Sequence, residues 1–292
     1  MTDLAALAET VDSAALHARE IPQLADTVTL GVDDAYAVQS LSVQRRLARG
    51  ERPVGYKMGL TSRAKMQQVG VGEVIWGRLT DAMRVEEGGR ISLSRYVHPR
   101  VEPEIAFLMQ APLSGDVSNA EALAAVGAVA PAREIIDSRY KDFKFSLPDV
   151  IADNSSSSGF VLGNWHAPTV DFGNLGIILE VDGRPVQIGS SAAILGHPIR
   201  SLVAAARLIA KGGGRIEAGT IVLAGGATAA HPLASNPWGT WVSVLTPDPS
   251  PGLSPWPGTG SPATARPCAR YSGYGLPGAG GRQRRRDRSP PS

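Results

Sequence analysis

The spacing of apolar residues changes near residue 50, and this change restricts the fold classes that the chain can adopt. Before it, Ala, Leu and Val recur at three- and four-residue intervals over residues 4–16, and a second helical stretch covers residues 32–48. After it, residues 75–225 alternate short apolar runs with Gly, Pro and Asp turns, a pattern typical of many short strands. A helical N-terminal segment followed by a strand-rich remainder of the chain predicts an α+β fold.

Local signals predict individual elements. Ser118 and Glu121 have the spacing of a capping box, which predicts a helix over residues 121–126. Asp182-Gly183 lies between two apolar runs and predicts a hairpin of strands 177–181 and 185–188. Pro198 and Gly212 bound a predicted helix over residues 198–211. Further predictions are a helix at 62–69 and strands at 54–60, 101–109, 128–136, 220–224 and 240–245.

Composition divides the chain into three predicted regions. Residues 1–74 form an N-terminal helical and α+β region, residues 75–246 a β-roll catalytic domain, and residues 247–292 a tail. The tail is rich in Pro, Gly, Ser and Arg and has no periodicity, so we expect it to be disordered. Its bias toward amino acids with G/C-rich codons suggests that a reading-frame change replaced the natural C-terminus.

The charge distribution argues against nucleic acid as a partner. From residue 247 onward, seven Arg and two Asp contribute five positive charges, which leaves residues 1–246 with −3 of the total +2. We find no basic stripe in that main body. The chain has no run of about 18 apolar residues and no signal-like N-terminus. With Cys268 as the single cysteine, we expect a cytoplasmic protein without a membrane span.

The predicted strand 101–109 carries the first candidate site. Alternate residues of a strand share a face at a spacing of roughly 6.6 Å, so Glu102 and Glu104 point the same way. Buried together, the two carboxylates would repel each other, and a hard divalent cation such as Mg²⁺ or Mn²⁺ would remove that repulsion. On this pattern alone, a solvent-facing strand edge is the more frequent explanation.

Two further charged residues lie in apolar surroundings. Glu134 shares a strand face with Ala132 and Ile136, which indicates burial. Lys57 lies between Gly55 and Gly59, which permit close approach of a ligand or of backbone, and it could act as acid, base or electrostatic clamp. A salt-bridged core edge and a surface lysine are the respective alternatives.

Two polar loops could bind a carboxylate. Residues 153–158 offer hydroxyls and backbone N–H groups, and residues 225–228 follow a predicted strand in the same way. We expect Asp153, Asn154, Ser158 and Thr228 to contact substrate, with an ordinary polar loop as the alternative. A cluster of Arg139, Lys141 and Lys144 could hold a dianion, but a solvated charged face is the simpler explanation.

Together these segments resemble a known family. Residues 55–62, 101–106, 134–139 and 152–154 look like the 2-oxopent-4-enoate hydratase/4-oxalocrotonate decarboxylase family of the fumarylacetoacetate hydrolase superfamily. The resemblance covers roughly residues 1–230 and implies a mixed, barrel-like β-roll. It also implies Mg²⁺ or Mn²⁺ held by Glu102, Glu104 and Glu134, with Lys57 beside the substrate. Residues 75–81, 140–145 and 226–230 look more like the decarboxylase branch.

That branch implies metal-dependent decarboxylation of 2-oxohex-3-enedioate, a small 2-oxo dicarboxylic acid, in aromatic meta-cleavage catabolism. It also implies a complex with the pathway hydratase, and we expect a homo-oligomer. One alternative is a hydratase of 2-hydroxypenta-2,4-dienoate, and another is an inactive or partner subunit with an altered C-terminus. A C–C hydrolase is disfavoured, because the sequence shows no His-Glu pair near the site to activate water.

Overall fold

The computed structural model describes residues 2–62, 66, 72–234, 242–246 and 269–270. The α-helices of this part are α1 (Leu4–Leu16), α2 (Val32–Ala48), α3 (Asn119–Ala124), α4 (Leu147–Ala152) and α5 (Pro198–Lys211). Its strands are β1 (Pro53–Gly59), β2 (Ile75–Thr80), β3 (Arg84–Val85), β4 (Arg100–Met109), β5 (Val126–Ile136), β6 (Ser157–Leu162), β7 (Gly176–Val181), β8 (Arg184–Ser190), β9 (Ile221–Leu223), β10 (His231–Pro232), β11 (Val242–Thr246) and β12 (Ala269–Arg270). The predicted α+β class is confirmed.

The N-terminal helices pack against the edge of the main sheet. The Asp3 carboxylate caps α1 by accepting hydrogen bonds from the N–H groups of Ala5 and Ala6, both at 3.1 Å. The apolar faces of α1 and α2 form one cluster with α4. The buried Gln39 amide of α2 donates to the carbonyls of Trp76 and Ile151, each at 3.0 Å, so it ties the helices to strand β2 and helix α4.

The main sheet is mixed and curled. Its strand order is β2-β1-β9-β4-β5-β6-β3, with β10 added to β4. Pairs β1–β9 and β3–β6 are parallel, whereas β4 pairs antiparallel with both β9 and β5. One face of this sheet buries apolar side chains such as Leu79, Phe160 and Leu223, and the candidate site lies on the same face. The barrel-like roll implied by the resemblance is confirmed.

A smaller sheet and α5 cover the other face. Its order is β12-β11-β7-β8, and Asp182 and Gly183 turn the β7–β8 hairpin with φ of 51° and 74°, as the sequence predicts. Helix α5 begins at Pro198 and buries Leu202, Ala205 and Ile209 in the largest core cluster. By length and composition alone, Ser191–Lys211 could cross a membrane, but 56% of its most apolar window is buried inside the protein.

The helix predicted at 121–126 begins and ends earlier than expected. Ser118 caps it by accepting from the Glu121 N–H at 3.2 Å, so α3 begins directly after the cap and Val126 already belongs to β5.

Most of the predicted helix 62–69 and of the predicted tail 247–292 lies outside the described residues. The three-region division remains a prediction, and strand β1 from the N-terminal region is a member of the main sheet.

Candidate metal centre

Three glutamates face one another across strands β4 and β5. Glu102 and Glu134 are direct cross-strand partners, and Glu104 lies two residues further along the same face of β4. One carboxylate oxygen from each lies within 4.8 Å of the others. Their exposed fractions are 5%, 1% and 0% for Glu102, Glu104 and Glu134, which excludes the solvent-facing strand edge.

Lys57 reaches this glutamate centre from strand β1. Strand β9 lies between β1 and β4, and a Cβ on Gly55 would lie 2.0 Å from the Ile221 carbonyl oxygen, so this glycine permits the close approach of β1. The Lys57 Nζ atom lies 3.0 Å from Glu134 Oε2 and donates to the Ser155 carbonyl at 2.9 Å. Its side chain is 3% exposed, so the alternative of a surface lysine is wrong.

Burial dominates the electrostatics of the centre. Loss of solvation raises the pKa of Glu104 well above its usual range, and the neighbouring Glu134 and Glu102 carboxylates raise it further. Burial also raises the pKa of Glu134, although the Lys57 ammonium acts in the opposite direction. Lys57 therefore does not compensate for the burial of Glu104 and Glu134.

Several oxygen atoms of the centre have no hydrogen-bond partner among the residues that the structure describes. Gly225 donates its N–H to Glu104 Oε2 at 2.7 Å. Within the described part of the chain, Glu104 Oε1 and both oxygens of Glu134 have no hydrogen-bond partner, although the Lys57 ammonium forms an ion pair with Glu134 at 3.0 Å. Buried carboxylate oxygens without partners are costly, and oxygen ligands of this kind suit a hard divalent cation. The three glutamates therefore fit a site for a hard divalent cation.

A second buried charge cluster, the arginine network, consists of Arg139, Asp137, Asp153 and Ser158. The Arg139 guanidinium pairs with the Asp153 carboxylate, donates from Nη1 to Ser158 Oγ at 2.6 Å and lies 3.8 Å from Asp137. Burial opposes the charge of Arg139, but the Asp153 and Asp137 carboxylates outweigh it and raise the Arg139 pKa. Asp153 and Ser158 thus hold Arg139 in this structure.

The remaining predicted residues lie in different surroundings. Asn154 bonds the backbone of Arg78 through both ends of its amide, at 2.8 and 2.9 Å. Thr228 is half-buried, and its hydroxyl donates to the Ala229 carbonyl at 3.0 Å. The cationic cluster does not form, because Arg139 is buried whereas Lys141 and Lys144 are exposed.

Two backbone groups of the centre were not predicted as site components. The Ser155 carbonyl holds Lys57 and the Gly225 N–H holds Glu104. Asn154, Ser155 and Ser156 all have left-handed φ between 49° and 62°, which no residue type in this run indicates. Gly225 has a φ of 102°, and its Gly-Gly context after a strand was the available signal.

Comparison with known proteins places the chain in a family. The profile of the family described as "Fumarylacetoacetate (FAA) hydrolase C-terminal" matches residues 61–245, more than half of the chain. The chain belongs to the fumarylacetoacetate hydrolase family. Its fold and the order of its motifs agree with this membership, and the resemblance drawn from the sequence is confirmed.

Relatives within the fumarylacetoacetate hydrolase family include decarboxylases and hydratases. A "4-oxalocrotonate decarboxylase" from Pseudomonas sp. is 60% identical over 227 residues, which are 78% of this chain and 89% of the relative. The solved structure of "4-oxalocrotonate decarboxylase from Pseudomonas putida G7 - complexed with magnesium and adipate" has a TM-score of 0.80 and 41% identity, covering 83% of this chain and 93% of that one. A "2-keto-4-pentenoate hydratase" from Paraburkholderia xenovorans strain LB400 is 39% identical over 75% of this chain and 82% of the relative.

Proposed function

We propose that this chain decarboxylates 2-oxohex-3-enedioate to 2-hydroxypenta-2,4-dienoate and CO₂ with the help of a divalent cation. The observation that carries the proposal is the buried glutamate centre, whose unpartnered carboxylate oxygens fit a cation. The 60% identity to a 4-oxalocrotonate decarboxylase supports this reaction in particular. Magnesium in the related solved structure supports Mg²⁺, while Mn²⁺ remains a prediction.

Glu102, Glu104 and Glu134 are the residues that would hold the cation. A divalent cation bound there would supply Lewis-acid stabilisation of the negative charge that develops on the 2-oxo group of the substrate. The Gly225 N–H fixes one oxygen of Glu104 and so orients its carboxylate. The apolar side chains on the same sheet face exclude water, which strengthens every charge interaction in the site.

Decarboxylation needs an electron acceptor conjugated to the departing carboxylate. The bond between C5 and the C6 carboxylate breaks, CO₂ leaves, and the electron pair is delocalised through the C3–C4 double bond onto the 2-oxo oxygen. Protonation of that oxygen gives the dienol product. The protein therefore has to stabilise charge at the 2-oxo end of the substrate and deliver one proton there.

We assign the proton delivery to Lys57. Its ammonium carries three N–H donors, of which the Ser155 carbonyl accepts one. The Glu134 carboxylate at 3.0 Å keeps the charged group at the centre. A lysine fixed in this way can hold a proton close to the 2-oxo oxygen and stabilise the enolate charge.

The four residues predicted to bind substrate remain proposals with different roles. Thr228 is half-buried and its hydroxyl donates to the carbonyl of the next residue, and we propose a direct contact of this hydroxyl with a substrate carboxylate. Asp153 and Ser158 orient Arg139, and Asn154 holds the turn that presents the Ser155 carbonyl to Lys57. Their internal hydrogen bonds favour positioning of the site over contact with substrate.

The nearest alternative is hydration of 2-hydroxypenta-2,4-dienoate at the same centre, which the 39% identity to a hydratase favours. Incubation of the purified protein with each substrate in Mg²⁺ separates the two reactions. CO₂ release from the dienedioate supports decarboxylation, and water addition to the dienoate without CO₂ release contradicts it. Five interpretations of the sequence remain predictions: an altered C-terminus, an inactive or partner subunit, a homo-oligomer, a complex with the pathway hydratase and a cytoplasmic location.

A substitution that removes one carboxylate charge but keeps the side-chain shape tests the assignment of the centre to this reaction. Glu104→Gln should lower Mg²⁺-dependent CO₂ release by at least about 100-fold, because it removes a ligand of the group that stabilises the developing charge. Glu180→Gln is the matched control, since Glu180 is also buried but lies on β7 of the smaller sheet. Equal activity of the Glu104 and Glu180 variants would contradict the proposal.

A further inference from the structure

The Thr61 hydroxyl is buried without a hydrogen-bond partner among the described residues. Thr61 follows strand β1, two residues after Gly59, and it is 1% exposed. In the described part of the chain, its Oγ1 atom neither donates nor accepts a hydrogen bond. Buried hydroxyls of native proteins are nearly always paired, so an unpaired one calls for a specific explanation.

Unusual backbone conformations surround Thr61. Leu60 directly before it has a φ of 57°, and the N–H of Leu195, which has a φ of 51°, donates to the Thr61 carbonyl at 2.9 Å. Non-glycine residues with positive φ are strained, and such strain is concentrated at functional sites. The position of Thr61 is therefore maintained at a conformational cost.

Gly225 connects Thr61 to the glutamate centre. An ideal Cβ on Gly225 would lie 2.1 Å from Thr61 Oγ1, so the hydroxyl packs directly on the Cα of this glycine. The N–H of the same residue donates to Glu104 Oε2 at 2.7 Å. Gly225 thus contacts both the Thr61 side chain and the Glu104 carboxylate, whose Oε1 atom has no hydrogen-bond partner in the described residues.

We propose that the Thr61 hydroxyl donates a hydrogen bond to an oxygen of the substrate end that lies at the glutamate centre. A hydroxyl is a donor that can satisfy a carboxylate or keto oxygen, and these are the groups of a small 2-oxo dicarboxylic acid. A substrate oxygen that accepts from Thr61 explains why this hydroxyl has no partner among the described residues. The unpartnered Glu104 Oε1 is itself an acceptor and is left to the cation. The inference rests on the proposed function and adds a substrate-contacting residue to it.

Substitution of Thr61 by Val and by Ser tests the hydroxyl itself. Thr61→Val keeps the shape but removes the hydroxyl, so the unliganded protein should unfold at the same or a higher temperature. Its affinity for adipate in saturating Mg²⁺, measured by calorimetry, should fall on the order of 10- to 100-fold, with a matching rise in KM for the dienedioate. Thr61→Ser should retain most of the affinity.

Ser201 provides the matched control. It is 0% exposed, and its hydroxyl also has no partner within the described residues, but it lies on helix α5 beside Leu202 of the apolar core. Ser201→Ala should show the same absence of thermal destabilisation and unchanged adipate affinity. Mg²⁺ affinity without adipate should be the same in wild type and Thr61→Val.

Distinct results would overturn the inference. Unchanged adipate affinity in Thr61→Val, a lowered unfolding temperature in that variant, or equal affinity loss in Thr61→Ser each contradicts it. A loss of Mg²⁺ affinity without adipate would instead assign the hydroxyl to the cation. Wild type that binds no adipate overturns it too, whereas wild type that binds adipate but releases no CO₂ contradicts the proposed function alone.

Discussion

Two buried charge clusters lie close together in the sequence, and their hydrogen bonds differ. In the arginine network, Asp153 accepts the Arg139 backbone N–H at 3.1 Å and its Nε at 2.6 Å, and Asp137 accepts the His98 N–H at 2.5 Å. In the glutamate centre, Lys57 pairs with Glu134, and three oxygens of Glu104 and Glu134 have no hydrogen-bond partner in the described residues.

This difference separates a structural cluster from a binding site. Buried charges are tolerated where protein groups pair them, as Asp153 and the backbone N–H groups do in the arginine network. The glutamate centre retains oxygens of Glu104 and Glu134 that have no hydrogen-bond partner among the described residues, which is unfavourable unless a cation completes it. The two clusters have similar residue types and similar burial, but the arginine network stabilises the fold whereas the glutamate centre favours binding of a cation.

Removal of Arg139 should give the largest effect. Arg139→Met leaves Asp153 and Asp137 buried without their cation and should lower the free energy of unfolding by about 3–5 kcal/mol. Urea denaturation in EDTA measures this change. Arg133→Met is the control, because Arg133 is also largely buried but lies 3.6 Å from the partly exposed Glu87. An equal loss in both variants would contradict a special role of the arginine network.

Removal of Lys57 should affect turnover more than folding of the Mg²⁺-bound protein. Lys57→Met should lower CO₂ release roughly 100-fold, because it removes the proposed proton donor. In EDTA it should also destabilise the protein, since the buried Glu134 carboxylate loses the ammonium that lies 3.0 Å from it. Saturating Mg²⁺ should recover much of that stability, whereas Lys211→Met, an exposed change at the end of α5, should alter neither quantity. The same stability loss with and without Mg²⁺ would argue against the assignment.

The smallest predicted effect concerns the pH dependence of stability. Burial raises the pKa of Asp153 to about 6, against the opposing influence of Arg139, while the unfolded chain titrates near 3.9. Between about pH 4 and pH 6 the folded state therefore binds more protons at this group than the unfolded state. Its contribution to the free energy of unfolding falls as pH rises through this window, by up to about 1.4 kcal/mol per pH unit, and is constant above it.

Asp153→Asn removes this titration and supplies the comparison. Urea denaturation of the EDTA-treated proteins at pH 4 to 8 should give a wild-type curve with a more negative slope than that of the variant between pH 4 and 6. Above about pH 6.5 the two curves should run parallel. Parallel curves over the whole range would show that Asp153 titrates at its ordinary pKa.

Much of the fold and the core of the site could be predicted from local patterns. Strand alternation indicated that Glu102 and Glu104 share a face, and helices α1 and α2 have the predicted bounds. The pairing of Glu102 with Glu134 depends on the register of β4 against β5, which a pattern within one strand does not contain. Family resemblance, not spacing, joined Glu134 to the other two glutamates.

The arginine network and the contact of Thr61 with Gly225 could not be predicted from the sequence, for a different reason. The sequence of residues 153–158 predicts a polar loop that is open to ligand. In the structure, Asn154, Ser155 and Ser156 have left-handed φ, and the loop contacts Arg139. Thr61 is connected to Glu104 through Gly225, which is distant in sequence from both and contacts each of them. Tertiary contacts and unusual backbone angles decided both outcomes.

The central claim is that a divalent cation completes the glutamate centre, and metal-dependent thermal unfolding of wild type and Glu104→Gln tests it most directly. In EDTA the variant should be as stable as wild type or more stable, because it removes one of three mutually repelling buried carboxylates. Saturating Mg²⁺ should raise the unfolding temperature of wild type and leave that of the variant nearly unchanged. Wild type without any Mg²⁺-dependent stabilisation, or a variant stabilised by Mg²⁺ as much as wild type, would contradict the claim.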